Sequence, residues 1–297
     1  MPETPTVSGL VERRSLQNRA LAQIDRLPSL STVVGEFLAL ARREYFTAAD
    51  FERIIVKDQA LVARLLKVAN SSFFGATQPV RSVSQAVVLI GMDNLRNLVY
   101  AVSSSGLLRR RLRCYDYAGR GFWLHSLGVA MTARLLVESE AVPPSLAGEE
   151  AFVAGLLHDL GKLILDDFLD ASLGPRRVEL GEERSTLGWD HAELGSRVLL
   201  RWKIPGEIRG AVREHHGPAG AGGSRKPGGA LVRAADAICN AWGLGLRADA
   251  DLASDPDLGD CAPALAAAGL TEDACRELLP RLRRQLATIE SCFGEES

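Results

Sequence analysis

The chain has 297 residues, 24% of them charged and 46% hydrophobic, with a formal net charge of −2. That is the profile of a soluble globular protein with room for two domains. No apolar run approaches the ~20 residues that span a bilayer, and Met1 to Thr6 lack a basic-then-apolar leader, so a cytoplasmic protein without membrane contact is expected.

Helix signals dominate in chain order. Residues 1–23 are expected to be an N-terminal extension. Ser31 to Arg43 carries Val33, Val34, Phe37, Leu38 and Ala41 at helical spacing. Thr47-Ala48-Ala49-Asp50 reads as a capping box that opens a helix through Ile55. Ala60 to Asn70 repeats the pattern, Ser71 to Pro79 breaks it, and Ser84–Ile90 and Asn94–Leu108 resume it around Gly91. The charges are uneven: 17 Lys and Arg face 10 Asp and Glu up to Arg120, and 18 face 27 beyond it. The dense run Arg109-Arg110-Arg111-Leu112-Arg113 is expected to be a solvated connection between two helical blocks.

In the second block, helices are expected over Trp123–Val137, Glu149–Leu160, Trp189–Trp202, Pro205–His216 and Leu231–Trp242. Gly217 to Gly229 and the acidic stretch Arg247 to Asp260 read as loops, and Thr271 to Phe293 as a last amphipathic helix. Leu278, Leu279, Leu282 and Leu286 allow that helix to dock on the bundle or to face a partner. The five cysteines (Cys114, Cys239, Cys261, Cys275 and Cys292) form no Cys-x-x-Cys pair and fit reduced thiols.

The chemistry is concentrated. All five histidines (His125, His158, His191, His215 and His216) fall in the second block, His158 directly before Asp159, with Asp236 inside a later apolar helix. Singly, each has a plainer reading: a His in an amphipathic helix is more often hydrogen-bonded than ligating, and Asp236 could pair with Arg233. Jointly, four helices deliver imidazoles and carboxylates, the ligands of Mn, Fe and Zn, and a cation satisfies a buried carboxylate directly.

His125, His158-Asp159 and Asp236 resemble the ordered signature of HD-domain metal-dependent phosphohydrolases. Asp58 to Ser71, Phe73-Phe74-Gly75 and Val83 to Gly91 are similar to the narrower HDOD family, a likeness continued by His191-Ala192-Glu193-Leu194-Gly195, Arg201 to Pro205 and Glu214-His215-His216. It covers roughly Ile24 to Trp242. The resemblance implies an all-α fold, with an N-terminal helical bundle (24–112) packed on an HD-type bundle (113–245), then an acidic loop and an extra C-terminal helix (246–297).

It also implies a bacterial signalling role with a protein partner. The ligand order resembles that of HD-GYP cyclic-dinucleotide phosphodiesterases, with two departures. Gly217-Pro218-Ala219-Gly220 stands where the Gly-Tyr-Pro segment would follow, and Gly121 offers no carboxylate for a third ion. On this resemblance His125, His158, Asp159 and Asp236 would hold one divalent transition-metal ion such as Fe or Mn. His191, His215 and His216 would hold a second, with Asp159 bridging. Paired ions lower the pKa of a shared water and aim it at phosphorus; Asp159 would then be catalytic, and Lys162 would neutralise charge on phosphate oxygens.

Two functions are therefore expected in order: a signalling module that relays to a partner, or a phosphohydrolase or phosphodiesterase of a nucleotide or other phosphorylated small molecule. A third, DNA binding with Ala60 to Ser71 as a recognition helix, is disfavoured because its apolar residues leave few side chains to read bases.

Overall fold

The computed structural model describes residues 7–27, 35–36, 39–40, 47–71, 74–117, 120–142, 145–217, 227–245 and 255–293, and every regular element among them is a helix. The fold is all-α. The helix predicted over 31–43 lies outside the described residues apart from 35–36 and 39–40, which are helical; most of the predicted loops 217–229 and 247–260 also fall outside them.

The first block comprises α1 (Val7–Ile24), α2 (Ala48–Ile55), α3 (Gln59–Ala69), α4 (Val83–Ile90) and α5 (Met92–Leu108). Thr47 caps α2 through the reciprocal contacts its sequence predicts: its hydroxyl accepts from Asp50 N, and its own N–H donates to Asp50 Oδ2 at 2.9 Å. Helices α2 to α5 close on one another around Phe51, Ile55, Leu61, Leu65, Val83, Ile90, Leu95 and Leu98, all buried. Asn70 spans the break after α3. Its amide donates to Val80 O and its carbonyl accepts from Val80 N, each at 2.8 Å.

The second block is built on α6 (Gly121–Glu138), which is buried along nearly its whole length, as a helix apolar on all sides must be. On it pack α7 (Gly148–Leu157) and α12 (Pro227–Ala241); the block also holds α8 (Lys162–Leu173), α9 (Leu180–Leu187), α10 (His191–Arg201) and α11 (Gly206–Glu214), followed by α13 (Ala262–Ala267) and α14 (Glu272–Phe293). Pro205 sits at the N-cap of α11, one position before the expected first turn. Helix α14 docks on α6 and α5, burying Leu279, Leu282 and Leu286, so its apolar face is filled within the chain.

Further features join the blocks. Arg134 of α6, 2% exposed, meets Glu149 of α7 and Asn97 of α5, while Glu149 also accepts from Tyr100 at 2.7 Å and pairs with Arg96 at 2.9 Å. Helix α1, in the stretch expected to be an N-terminal extension, packs on α8, α9 and α10. Arg13 and Gln17 donate to Ser185 O and Leu187 O at 2.9 and 2.8 Å, filling carbonyls that a helix C-terminus leaves open.

Candidate metal centre

Close backbone approaches bring the ligand-bearing helices together. At the α6–α7 crossing, a Cβ on Gly155 would lie 2.7 Å from Ala130 Cα, and the rings of His125 and His158 come to 5.4 Å between centroids. A Cβ on Gly161 would lie 2.1 Å from His191 O, so only glycine lets the turn after His158-Asp159 touch the start of α10. Gly121 is equally crowded: a Cβ there would lie 1.8 Å from Gly245 O, which leaves no room for a carboxylate at that position. The fifth and sixth ligand positions, His215 and His216, come from the end of α11, and Asp236 from α12.

Four of the five imidazoles share one orientation. Nδ1 faces Leu244 O in His125 (3.2 Å), Gly155 O in His158 (2.8 Å) and Val212 O in His215 (2.6 Å); in His191 it faces the Glu183 carboxylate at 2.8 Å. A carbonyl or carboxylate can only accept, so Nδ1 carries a proton in these four rings, and each of them, once neutral, turns its Nε2 lone pair inward. His125 Nε2 lies 3.0 Å from Asp236 Oδ1, His191 Nε2 3.1 Å from Asp159 Oδ1 and 2.7 Å from His216 Nε2. Nε2 of His158 and of His215 are buried and make no hydrogen bond. All seven residues named from the sequence are thus neighbours. They form two sets, Asp159–His191–His215–His216 and His125–His158–Asp236, and within each the ligand atoms lie within 4.8 Å of one another.

Asp159 stands between the sets. Its Oδ1 faces His191 and His215, and its Oδ2 lies 3.3 Å from His158 Nε2 while accepting from Tyr117 OH at 2.9 Å and from Lys162 Nζ at 2.5 Å. Lys162 also donates to Tyr117 OH at 3.1 Å. It occupies the first position of α8, not the end of a preceding helix, and its ammonium is spent on Asp159 and the Tyr117 hydroxyl. Arg233 does not pair with Asp236; its Nε donates to His215 O at 2.7 Å, and Asp236 Oδ1 accepts from Asn240 at 2.9 Å.

Electrostatics follow from this wiring. Burial raises the cost of charging Asp159, yet the imidazoles and Lys162 around it hold its carboxyl well below the usual range; Asp236 is likewise lowered to about 2 against its own burial by His125 and His158. Burial opposes a charged His191, but Glu183 and Asp159 outweigh it and raise the ring to about 9. Burial and the neighbouring imidazoles push His215 down to about 3 and His216 lower still.

The residues fit a divalent transition-metal ion. Buried nitrogens without a partner cost about 1–3 kcal/mol each, a cost that a cation at the lone pairs would offset. Rings anchored through Nδ1 are the usual outer arrangement of metal-ligating histidines. Sequence reasoning missed Glu183, Tyr115, Tyr117 and Asn240. Glu183 lies eight residues before His191 in a stretch without strong apolar periodicity, and the tyrosines sit in the connection after the arginine run, where no helix pattern draws attention to them.

A cleft of about 410 Å³ opens onto both sets, walled by Tyr115, Tyr117, Arg177 and Glu179. Among the described residues no helix is long and apolar enough to cross a membrane.

Comparison with known proteins bears on the family and the fold. The HDOD domain pattern matches residues 27–218. A Geobacter sulfurreducens HDOD domain protein with unknown function has a similar structure, with a TM-score of 0.65 and 24% identity over 96% of this chain and 99% of its own. A Shewanella amazonensis protein provisionally named a phosphohydrolase gives a TM-score of 0.61 and 24% identity, over 92% of this chain and 98% of its own. Ribonuclease Y of Aquifex aeolicus is 32% identical over 224 residues, which are 72% of this chain and 32% of that protein. The chain spans less than half the length of the curated relatives it matches.

Proposed function

The chain belongs to the HDOD domain family, and on that premise we propose that it is a bacterial cytoplasmic signalling protein whose second helical block holds two divalent transition-metal ions. His125, His158 and Asp236 are ligands to one ion and His191, His215 and His216 to the other, with Asp159 serving both. The observation that carries this reading is the shared orientation of the imidazoles: four are anchored through Nδ1, and two of these bury Nε2 without a partner. Signalling leads over catalysis because Lys162, the cation best placed to meet a phosphate, is held by Asp159 and Tyr117, and Arg177 is paired with Asp116 and Glu179. In this reading the state of the site is passed through the helices to a protein partner.

Elemental analysis of tag-free protein beside Asp159→Ala tests it. About two transition-metal ions per chain are expected in the first and few in the second. Empty wild-type protein after anaerobic loading with Mn or Fe would overturn the proposal.

A second reading is a metal-dependent phosphohydrolase or phosphodiesterase, favoured by the cleft that opens onto both ligand sets. Paired ions would supply a water of lowered pKa and neutralise phosphate charge. The chain's own contribution would be to orient Asp236 through Asn240, and to release Lys162 from Asp159 toward a bound phosphate. Metal-dependent hydrolysis of bis(4-nitrophenyl) phosphate by wild type but not by Asp159→Ala would move this reading ahead.

A further inference from the structure

The connection between α5 and α6 reaches into the metal centre. Its backbone is pinned to α8, where Asp166 Oδ1 accepts from Arg113 N and Cys114 N at 2.7 Å each. From that anchor two tyrosines flank one ammonium: Lys162 Nζ lies 5.1 Å from the Tyr115 ring and 5.4 Å from the Tyr117 ring. Their hydroxyls then part. Tyr115 donates to Glu183 Oε1 at 2.8 Å, on the carboxylate that holds His191 through Nδ1 and through its backbone N–H. Tyr117 donates to Asp159 Oδ2. One short segment therefore touches the carboxylate behind His191 and the carboxylate between the two ligand sets.

The same segment continues α5. Arg109, the first residue past that helix, lies over the Trp123 ring at 5.4 Å, and the Trp123 indole donates to Ala101 O at 3.2 Å. A displacement of the N-terminal helices has a covalent route to the tyrosines.

We propose that Tyr115 and Tyr117 are positioning residues through which this segment sets the coordination state of the site. The inference rests on the two-ion reading above. With Tyr117 and Lys162 on Oδ2, Asp159 offers Oδ1 to the side of His191 and His215 and only a shared Oδ2 to the His125–His158–Asp236 set. Withdrawal of Tyr117 removes one of the two donors on Oδ2, which already lies 3.3 Å from His158 Nε2, and strengthens its part in that set. Tyr115 has the opposite effect, because it steadies Glu183 and hence the His191 Nε2 direction. The two hydroxyls thus bear on different ions with opposite sign.

Cobalt(II) titration of chelator-stripped full-length protein, followed by visible absorption and calorimetry, tests this on wild type, Tyr115→Phe and Tyr117→Phe. Two unequal sites are expected in wild type. Tyr117→Phe should tighten the weaker site about tenfold, and Tyr115→Phe should loosen the stronger one about tenfold, the lower end of what outer partners of ligands contribute. A general loss of structure would weaken both sites in both variants, so two variants that both weaken overturn the proposal, as do two that titrate like wild type. Tyrosine ultraviolet difference spectra of wild-type protein need no variant: a change at the second equivalent of Zn is expected, and a flat signal overturns the coupling. Absence of any cobalt spectrum in wild type removes the metal reading and this coupling together.

Discussion

At the scale of single residues, the centre is defined by which nitrogen carries each proton. Without an ion, His191 lies between the Glu183 and Asp159 carboxylates and, despite burial, holds its proton up to about pH 9. A ligating imidazole must be neutral, so binding below that pH expels a proton, and affinity should climb as pH rises toward about 9. His215, depressed to about 3, is already neutral and adds nothing to this slope. The stability linkage runs the other way. A pKa raised above its unfolded value of about 6.5 stabilises the metal-free fold fully below that value, and this contribution is lost as pH rises through about 9. Zinc calorimetry at pH 7.5 in buffers of different ionisation enthalpy should report net proton release. Binding heats independent of buffer, with affinity flat between pH 7 and 9, would contradict the assignment.

At the scale of elements, the joint between the blocks is a buried charge cluster on three helices. Arg134 and Glu149 are 2% and 8% exposed, and burial alone would lower the Arg134 pKa; Glu149 is the partner that opposes this most. Breaking such a pair from one side leaves a buried charge short of partners, which costs about 3–5 kcal/mol. Glu149 keeps Arg96 and Tyr100, so Arg134→Ala should fall at the lower end, about 3 kcal/mol, measured by urea unfolding of metal-free protein. A loss under 1 kcal/mol would mean that the cluster is not a structural joint. None of this was legible from periodicity. Arg134 sits in a helix that reads as apolar, and pattern alone cannot tell a buried arginine from a solvated one. Strong signals did locate other elements: the Thr47 box and the apolar repeat of α3 mark a real helix start and a real buried face. Helices α1 and α9 went unassigned because their buried residues are spread among polar ones and are fixed by partners remote in sequence, as where Gln17 meets Leu187 O.

At the scale of the whole molecule, the clustered histidines and carboxylates were legible as candidates because imidazoles are few and all lie in one block, whereas the residues that aim them were not. Glu183, Tyr115 and Tyr117 reach the site only through tertiary packing, and the segment carrying the tyrosines links it to the first block. Chain ends reinforce that link, with α1 resting on α8 to α10 and α14 on α5 and α6. Such cross-bracing should make unfolding one cooperative event even though the proposed metal ligands all come from the second block. Ligand present at 100 times its Kd stabilises a native state by about 2.7 kcal/mol. For a large domain that is about 5 °C in Tm, at roughly 2 °C per kcal/mol. Stripping metal with a chelator should therefore shift a single calorimetric transition down by about 5 °C. If the blocks were independent, the trace would split, with one peak moving and the other staying fixed. A single peak that moves as a unit is the outcome that lets an event at the first block be felt at the ions, because it requires the two blocks to share their stability.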